Sequence, residues 1–384
     1  MAHIRSLIVE TALLTGGEYS VILLVHIRNC PEPIFASTSA YDAALRAAGL
    51  PAELHTISVL WDDALLETWY PLVAEHRTMW QVYQPLQLLA HFLPAFDHYW
   101  QLELDVRFTS DAGALLDALA RFSTHEPRKQ ALERASWLFL PSRMGSSYAA
   151  FLAAVNRSAG GGSHAWGPLA IPDVAPVGPA PPTARPHDDD FAWGVGEEAA
   201  VVVTSLCADG RASARWTFRD WVLGFAGGGA AAPPCWFCPP AVQRAGRTLL
   251  HEAHRVQVRR GLAVPSEATL VSLALWHGLK ISFPPLPTFV RSQGFNETLW
   301  EEWSAGGPGP EGGGGERKGF GGLDPQDKFT EGMSWWWTST WAGEVMEAWC
   351  ADDGNSSTGL PFVLATKGGR VYAPGMALHP VKEP

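Results

Sequence analysis

The sequence predicts an α/β fold, a single Rossmann-like domain with a mainly parallel central sheet flanked by helices. Strand-like and helix-like segments alternate along most of the chain, and this order produces parallel strands joined by crossover helices. Residues 19–27 form a continuous apolar run rich in β-forming side chains, as expected for a strand buried on both faces. With 384 residues, 47% of them hydrophobic, the chain can also bury a large core.

Each element has its own signal. Short runs of β-branched and aromatic residues predict strands at 19–27, 55–60, 99–108, 137–140, 201–205 and 279–283. Apolar residues spaced three and four apart predict helices at 4–14, 37–48, 79–93, 112–120, 128–135, 241–259 and 335–349. Gly16-Gly17 ends the first helix, Ser37 or Ser39 caps the second, and Pro85 kinks or restarts the third. Ser266, directly after Pro265, begins a further helix.

We expect one domain over 1–384, enlarged by two segments. Residues 158–190 are rich in Gly, Pro and Ala and predict a surface insertion. Residues 304–325 are of low complexity and are expected to be disordered. Because the first predicted element is a helix that needs a sheet to pack on, we also expect the first strand of the domain to be missing.

Composition excludes some functions. The formal net charge of −11 argues against nucleic acid as a partner. The sequence contains no run of 18 apolar residues, the length that would predict a membrane span. The start of the chain lacks the basic-then-apolar order of a signal peptide. The sequons at Asn156, Asn296 and Asn355 permit a secretory location without requiring one.

The cysteines predict no disulfide framework, since five is an odd and sparse set. Cys235 and Cys238 form a C-x-x-C motif, but no second motif completes a zinc site. A structural role for the pair is favoured, with a disulfide or redox pair as the alternative.

An acidic pair, Glu103 and Asp105, is the first candidate site. Alternation along the strand predicted at 99–108 places both carboxylates on one face. At the carboxyl end of a parallel strand they would point into the usual ligand crevice, where their oxygens suit Mg²⁺ or Mn²⁺. The alternative is that one acid pairs with Arg107 and the other is solvent-exposed.

Two further candidates combine a turn or helix start with acids. The stretch Gly194-Val-Gly196-Glu197-Glu198 allows close backbone approach to a ligand whose hydroxyls the acids would orient, or is simply a turn before a strand. Glu267 lies in the first turn of a helix, where the helix dipole favours it, or it serves as a catalytic base.

Other candidates involve histidine and tryptophan. His251 and His254 are three residues apart rather than four, which does not fit the zinc-protease motif. His379, with Lys382 three residues on, could meet a metal-bound diphosphate. The chain contains 18 Trp, and their flat indoles stack on sugars as well as filling cores. Trp193, Trp236 and Trp276 are the candidates for substrate contact.

Several motifs together resemble a family of fungal proteins known only as a domain of unknown function, from about residue 4 to 382. They are RSLIVETALLTGGEYSVILLVHIRN, HRTMWQVYQPLQL, HYWQLELDVRF, WGVGEEA, FRDWVLGF, WFCPPA, VPSEATLVSLALWHGLKISFPP and ALHPVK. A more distant resemblance is to GT-A-type nucleotide-sugar glycosyltransferases, which carry an acidic pair at a strand end, a later glycine loop, an acid at a helix start and a late histidine. Residues 237–240 stand at the glycine loop but contain no glycine.

The second resemblance implies a metal-dependent glycosyltransferase with a nucleotide-sugar donor and a glycan or glycoprotein acceptor, located in the Golgi or secretory pathway. It implies these site residues: Glu103, Asp105 and His379 for Mn²⁺ or Mg²⁺, Lys382 for the donor phosphates, Glu267 as the base, and Trp193, Glu197, Glu198, Trp236 and Trp276 for substrate. The alternatives are a catalytically inactive carbohydrate-binding or scaffold protein of the same fold, and a glycoside hydrolase, which would also use two carboxylates.

Overall fold

A computed structural model describes residues 1–28, 33–137, 139, 147–211, 216–225, 232–288, 334–335, 340–350, 365–367, 370–372 and 375–382. Its helices are α1 (Ala2–Leu7), α2 (Thr38–Ala47), α3 (Asp63–Trp69), α4 (Thr78–Gln81), α5 (Gln84–Phe92), α6 (Ala112–His125), α7 (Ala131–Ala135), α8 (Tyr148–Ser158), α9 (Arg247–Arg260), α10 (Ser266–Trp276) and α11 (Trp341–Cys350). A π-helical segment, Ile8–Leu13, continues α1, and 3₁₀ helices cover Ala52–Ile57 and Pro186–Asp188.

The strands are short. They are β1 (Leu23–His26), β2 (Ser58–Trp61), β3 (His98–Leu102), β4 (Arg107–Phe108), β5 (Val201–Val203), β6 (Ala208–Asp209), β7 (Trp236–Phe237), β8 (Val242–Gly246), β9 (Ile281–Ser282), β10 (Ala365–Lys367), β11 (Arg370–Tyr372) and β12 (Ala377–Leu378). Helices and strands alternate singly only from α1 to α3. Further along the chain they come in runs, such as α3 to α5, α6 to α8 and β5 to β8.

The largest described sheet is mixed rather than mainly parallel. Its order is β3-β8-β5-β9, in which β8 is antiparallel to both neighbours and β5 is parallel to β9. A separate parallel pair joins β1 to β2, and short antiparallel pairs join β4 to β12 and β6 to β7. The GT-A-like arrangement and the missing first strand stay predictions.

Strand β8 explains much of the difference. The helix predicted from residue 241 is wrong for Val242–Gly246, which is a fully buried strand at the centre of the sheet. The polar Gln243 and Arg244 gave this segment the pattern of a half-exposed helix, whereas both side chains are buried and hydrogen-bonded. The helix begins only at Arg247, after Gly246.

The main core surrounds α10. Every residue of this helix except Glu267 is buried, as expected for a helix that is apolar on all sides. Trp276, at its end, is fully buried, and its indole Nε1 donates to the Pro234 carbonyl at 2.7 Å. Ser266 accepts the Val82 N–H at 2.9 Å and donates to the Thr78 carbonyl. These contacts fix the start of α10, and with it Glu267.

Of the two segments predicted to enlarge the domain, the structure describes 158–190 but not 304–325. Within 158–190, Ile171 and Val174 are buried against the main core, so this excursion is anchored. Residues 304–325 lie outside the described part of the chain. Of the sequons, Asn156 lies in α8 and its side-chain oxygen accepts from Gln130 Nε2 at 2.9 Å; Asn296 and Asn355 are outside the described residues. Among the described helices, none combines the length and apolarity needed to cross a membrane.

The two cysteines of the C-x-x-C motif, Cys235 and Cys238, are not bonded to each other. Cys238 is bonded to Cys207, 31 residues earlier in the chain, while Cys235 is a buried free thiol. One link among the described residues is not a disulfide framework, and the alternative of a bond between Cys235 and Cys238 is wrong, because Cys238 pairs with Cys207. The link ties the residue before β6 to the residue after β7, two strands that also pair with each other.

We expect peptide mapping without reduction to recover the Cys207–Cys238 link. Cys235 should stay unlabelled by iodoacetamide in the native protein, because it is buried and burial raises the pKa of its thiol to about 12. Cys207→Ala should lower the free energy of unfolding by about 3–4 kcal/mol, since the link closes a loop of this length. Rapid native labelling of Cys235, or a link between Cys235 and Cys238, would contradict this pairing.

Candidate metal centre

Glu103 and Asp105 lie in a turn. The strand predicted over 99–108 breaks after Leu102 and resumes as β4, so the two acids are not adjacent on one strand face as expected. Glu103 N–H donates to the Ala241 carbonyl at 2.9 Å, and Val106 N–H closes the turn on the Glu103 carbonyl at 3.1 Å. The turn still brings the two carboxylates together, at the end of a strand of the central sheet.

Strand β12 delivers His379 to this turn. Ala377 and Leu378 pair antiparallel with Phe108 and Arg107, immediately beyond the turn. Val381 N–H extends this pairing by donating to the Asp105 carbonyl at 2.7 Å. On its other side, His379 N–H donates to the Ser334 carbonyl at 2.8 Å, beside the isolated bridge between Trp335 and His379. A residue 276 positions away in sequence from Glu103 thereby lies beside it.

The three side chains form a compact donor set. His379 Nε2 is 3.2 Å from Glu103 Oε2 and 3.6 Å from Asp105 Oδ1, and one ligand atom from each residue lies within 4.8 Å of the others. His379 is buried, while both carboxylates are partly exposed. The three residues predicted as metal ligands, Glu103, Asp105 and His379, therefore lie side by side, and their binding of a metal stays a prediction.

These residues fit a hard divalent cation. Two carboxylates and one imidazole match the preferences of Mn²⁺, and Mg²⁺ accepts the carboxylates but takes nitrogen less readily. Three protein ligands leave coordination positions for phosphate oxygens and water. The partial exposure of the carboxylates gives such a ligand access to the site.

Lys382 completes the cluster from the solvent side. Its Nζ is 2.9 Å from Asp105 Oδ2, and its side chain is 78% exposed. The hydrogen bond to Asp105 raises the pKa of the Lys382 ammonium, with further contributions from the charges of Asp105 and Glu103. A basic side chain thus lies at the mouth of the cluster, where an anionic ligand would enter. Arg107, which the sequence offered as the alternative partner of one of the two acids, donates to the Leu104 and Val106 carbonyls of the turn.

Glu267 lies near the same cluster. Its carboxylate Oε2 accepts the Trp216 indole N–H at 2.6 Å. Desolvation by burial raises the pKa of Glu267, and the negative charge of Glu103 adds to this effect, while the Trp216 hydrogen bond opposes it. A half-buried carboxylic acid with a raised pKa is a typical proton-transfer group.

Sequence reasoning missed several residues that support this site. Trp216 orients Glu267. In the core, the Tyr83 hydroxyl donates to Gln243 Oε1 at 2.7 Å; burial raises the pKa of Tyr83, and the charge of Glu103 adds to this effect. Gln243 in turn donates to the carbonyls of Cys238 and Pro239. No local motif marks these residues, because each acts through a partner distant in sequence.

A small cavity adjoins His379. It has a volume of about 80 Å³, and its lining is largely apolar. The lining includes Phe283, Pro285, Leu286, Trp335 and the hydroxyl-bearing Ser205. The Trp335 ring centroid lies 5.3 Å from that of His379, so an aromatic wall stands beside the candidate metal.

The candidate segment 194–198 is held by structural contacts. Arg128 Nε donates to Glu197 Oε2 at 2.7 Å, and the Arg128 guanidinium also lies over the Trp193 ring at 5.1 Å. Arg244 Nη2 donates to Glu198 Oε2 at 2.8 Å. These contacts favour the alternative reading of the segment as a turn, and the substrate role predicted for Trp193, Glu197 and Glu198 gains no support from their positions.

Two predicted substrate tryptophans belong to the core. Trp236 and Trp276 each have 0% of their surface exposed, so neither indole can present a face to a sugar in this structure. The sequence prediction for both residues is corrected on this ground. Their large apolar surface instead fills the space around α10 and β7.

We expect Lys280→Met to destabilise the fold. Lys280 is buried, and its Nζ donates to the Gly194 and Glu197 carbonyls, each at 2.7 Å. Removing this ammonium leaves buried carbonyls without a donor, so denaturant unfolding should show a loss of about 2–5 kcal/mol. Arg185→Met, which removes an exposed basic side chain paired with Asp188, should leave the free energy of unfolding nearly unchanged.

The pH dependence of the free energy of unfolding also tests the burial of Lys280. Desolvation lowers the pKa of Lys280 from 10.5 to about 8. Between these two values the unfolded chain binds the extra proton, so the stability of the wild type rises with pH relative to Lys280→Met. An unchanged difference between the two proteins across this range would contradict the burial of a charged Lys280.

Comparison with known proteins gives a family but no function. No curated protein and no solved structure matches the chain. A family model described as "Protein of unknown function (DUF3405)" matches residues 1–383. The predicted resemblance to a family of unknown function is thus confirmed, whereas the GT-A resemblance and the fungal origin stay predictions. On this match over nearly its whole length, the chain belongs to the DUF3405 family.

Proposed function

We propose that this protein is a metal-dependent glycosyltransferase that moves a sugar from a nucleotide-sugar donor to a hydroxyl acceptor. The observation that carries the proposal is the convergence of Glu103, Asp105 and His379 within 4.8 Å, with Lys382 at their exposed side. Carboxylates alone occur on many surfaces. The buried His379 imidazole, which the pairing of β12 with β4 places beside these carboxylates, supports a specific cation site.

The charged side chains of the cluster would have two roles, one toward the metal and one toward the donor phosphates. A cation bound here would neutralise negative charge on a diphosphate leaving group. Glu103, Asp105 and His379 would hold it, and Lys382 is placed to contact phosphate oxygens. In the structure the Lys382 ammonium offsets the charge of Asp105; when a cation takes over that role, the ammonium becomes available to the donor.

Glu267 is the candidate base for an inverting reaction. It would accept the proton of the acceptor hydroxyl while that oxygen bonds to the anomeric carbon and the bond from that carbon to the diphosphate breaks. Its raised pKa, caused first by burial, favours proton capture, and the Trp216 hydrogen bond fixes the carboxylate. In a retaining reaction the same carboxylate would position the acceptor.

The cavity beside His379 offers apolar surface to part of a sugar ring. Its aromatic and proline-rich lining offers the flat apolar faces on which sugar rings pack.

The two alternative functions, a glycoside hydrolase and an inactive carbohydrate-binding protein, differ from the transferase in what they require. A hydrolase would act without the cation, and an inactive carbohydrate-binding protein would bind without turnover.

A thermal-shift screen tests the proposal. We expect a nucleoside diphosphate and Mn²⁺ together to raise the melting temperature by several degrees, and each alone to raise it less, because the ligand bridges to the metal. A response to one nucleotide among UDP, GDP and ADP would identify the donor class. The absence of a shift with all three, in the presence of Mn²⁺, would contradict the proposal and favour the non-enzymatic alternative.

A further inference from the structure

A second group of reactive side chains lies at the carboxyl ends of β1 and β2. These two strands are parallel, and their last residues, His26 and Trp61, are paired in register. Asp63 begins α3, and Thr78 begins α4. Ligands of open α/β sheets bind outside the carboxyl ends of the strands, so these residues lie where a ligand is expected. None of them belongs to the candidate metal centre.

The His26 imidazole forms hydrogen bonds through both ring nitrogens. Its Nε2 is 3.0 Å from Asp63 Oδ1, and its Nδ1 is 3.1 Å from Thr78 Oγ1. A carboxylate can only accept, so Nε2 carries the proton, and in the neutral ring Nδ1 is then an acceptor. Arg28 Nε, which also donates toward Nδ1 at 3.5 Å, agrees with that role. The Thr78 hydroxyl therefore donates to Nδ1, the direction that a hydroxyl nucleophile needs toward its general base.

Further contacts hold these side chains in place. The Trp61 indole is stacked on the His26 ring, with the ring centroids 4.0 Å apart and the planes 6° apart. The stack fixes the plane of the imidazole, and the two contacts of its nitrogens fix its rotation within that plane. The Thr78 carbonyl accepts the Ser266 hydroxyl at 3.1 Å, which ties the start of α4 to α10. The base and the nucleophile thus have defined positions before any ligand binds.

A large groove borders both His26 and Thr78. Its volume is about 1,060 Å³, which is enough for a small organic molecule with a long chain. Its lining is largely apolar and includes Ile22, Leu24, Val82, Leu86 and Leu89. The groove therefore suits the apolar part of a substrate whose reactive group lies at Thr78.

The groove also borders a buried donor that lacks an acceptor. Trp61 lines the groove and is only 5% exposed, and its indole Nε1 has no hydrogen-bond partner among the described residues. Such groups are uncommon in folded proteins, because a buried donor without a partner costs free energy. The carbonyl oxygen of a bound ester is an acceptor of the kind that this N–H lacks.

We propose that Thr78, His26 and Asp63 form a catalytic triad that hydrolyses carboxylic esters with an apolar acyl chain. Thr78 Oγ1 bonds to the acyl carbon while its proton passes to His26 Nδ1, and Asp63 stabilises the imidazolium. The bond from the acyl carbon to the alcohol oxygen breaks, and that oxygen takes the proton from Nδ1.

Water completes the reaction. It attacks the acyl carbon of the acyl-Thr78 ester and gives one proton to His26 Nδ1. The bond to Oγ1 then breaks, Oγ1 takes that proton back, and the carboxylic acid leaves. This activity goes beyond the proposed sugar transfer, with which it shares neither a residue nor a metal.

Turnover of p-nitrophenyl octanoate by the full chain tests the proposal. We expect Thr78→Val to lower kcat/KM at least about 100-fold, because it removes the nucleophile and keeps the shape of the side chain. Thr78→Ser keeps a hydroxyl and should retain turnover. His26→Gln should lose as much as Thr78→Val, and the double variant no more than either. The matched control is Thr68→Val, at an exposed threonine of α3 whose hydroxyl donates to the Ala64 carbonyl at 2.8 Å.

The length of the acyl chain tests the role of the groove. We expect p-nitrophenyl acetate to have a kcat/KM at least about tenfold below that of the octanoate, because its acyl group buries little apolar surface. Equal values for the two esters would overturn the placement of the acyl chain in the groove.

A covalent probe gives a result that depends on no variant. An alkyl fluorophosphonate should add once to the native wild type at Thr78 Oγ1, with loss of fluoride, and peptide mass analysis locates the adduct. EDTA should change neither labelling nor turnover, which separates this activity from the proposed metal-dependent transfer. Absence of the adduct at Thr78, or turnover in Thr78→Val equal to that in Thr68→Val, would overturn the proposal.

Discussion

Asp105→Asn is expected to weaken Mn²⁺ binding by at least about 100-fold and to abolish cation-dependent sugar transfer. The variant replaces a charged ligand by a neutral amide of the same shape. Loss of outer-sphere partners alone costs about 10–100-fold in metal affinity, so loss of a direct ligand should cost at least as much. Calorimetric titration of Mn²⁺ measures the first effect, and turnover of a nucleotide sugar measures the second.

Asp188→Asn is the matched control for this variant. Asp188 is also a carboxylate paired with a basic side chain, Arg185, at 3.1 Å, but it lies outside the cluster. It should leave the Mn²⁺ affinity and the turnover unchanged. If Asp105→Asn bound Mn²⁺ as tightly as the control does, Asp105 would not be a ligand.

Glu267→Gln is expected to lower the turnover rate by about 10²–10⁴-fold while leaving Mn²⁺ binding intact, because a general base is lost and no ligand is removed. The amide keeps an oxygen that can accept the Trp216 indole N–H, so the local geometry should survive. A fall in Mn²⁺ affinity together with activity would show that the residue serves the cation site instead.

The same residue gives an expected pH dependence. Burial raises the pKa of Glu267 above its ordinary value of 4.5, so the rate should rise with pH through a limb above that value. Between the unfolded and the folded pKa the folded protein binds the extra proton, so stability falls as pH rises there. Glu267→Gln, which mimics the protonated form, should remove this fall.

Glu133→Gln controls for burial. Glu133 is also a buried acid whose pKa is raised by desolvation, and it accepts the His164 N–H. It should change the pH dependence of stability without changing the pH dependence of turnover. A loss of turnover in this control equal to that of Glu267→Gln would contradict a special role for Glu267.

For the candidate metal site, sequence analysis named three residues that do lie together, but not the way in which the fold brings them together. Glu103 and Asp105 were expected on one strand face, yet a turn brings them together. His379 was a candidate through its neighbour Lys382 and a distant resemblance, and only the pairing of β12 with β4 places it beside the acids. Pairings between segments far apart in sequence leave no local pattern.

Errors in the fold prediction have a similar origin. Periodicity identified most of the described helices, because a 3.6-residue repeat is a local property, but it missed α3 and α8. It misassigned Val242–Gly246, whose buried Gln243 and Arg244 side chains hydrogen-bond to groups outside this strand. The Cys207–Cys238 link and the complete burial of Trp236 likewise depend on tertiary neighbours. Residue type alone could not separate a core indole from a sugar-binding one.

Pulsed electron paramagnetic resonance of bound Mn²⁺ tests the central claim most directly. The account predicts one Mn²⁺ per chain with a nitrogen coupling from the His379 imidazole, whose Nε2 faces both carboxylates. The coupling should disappear in His379→Gln. A bound Mn²⁺ that shows no nitrogen coupling in the wild type, or a coupling that persists in the variant, would contradict a metal centre formed by Glu103, Asp105 and His379.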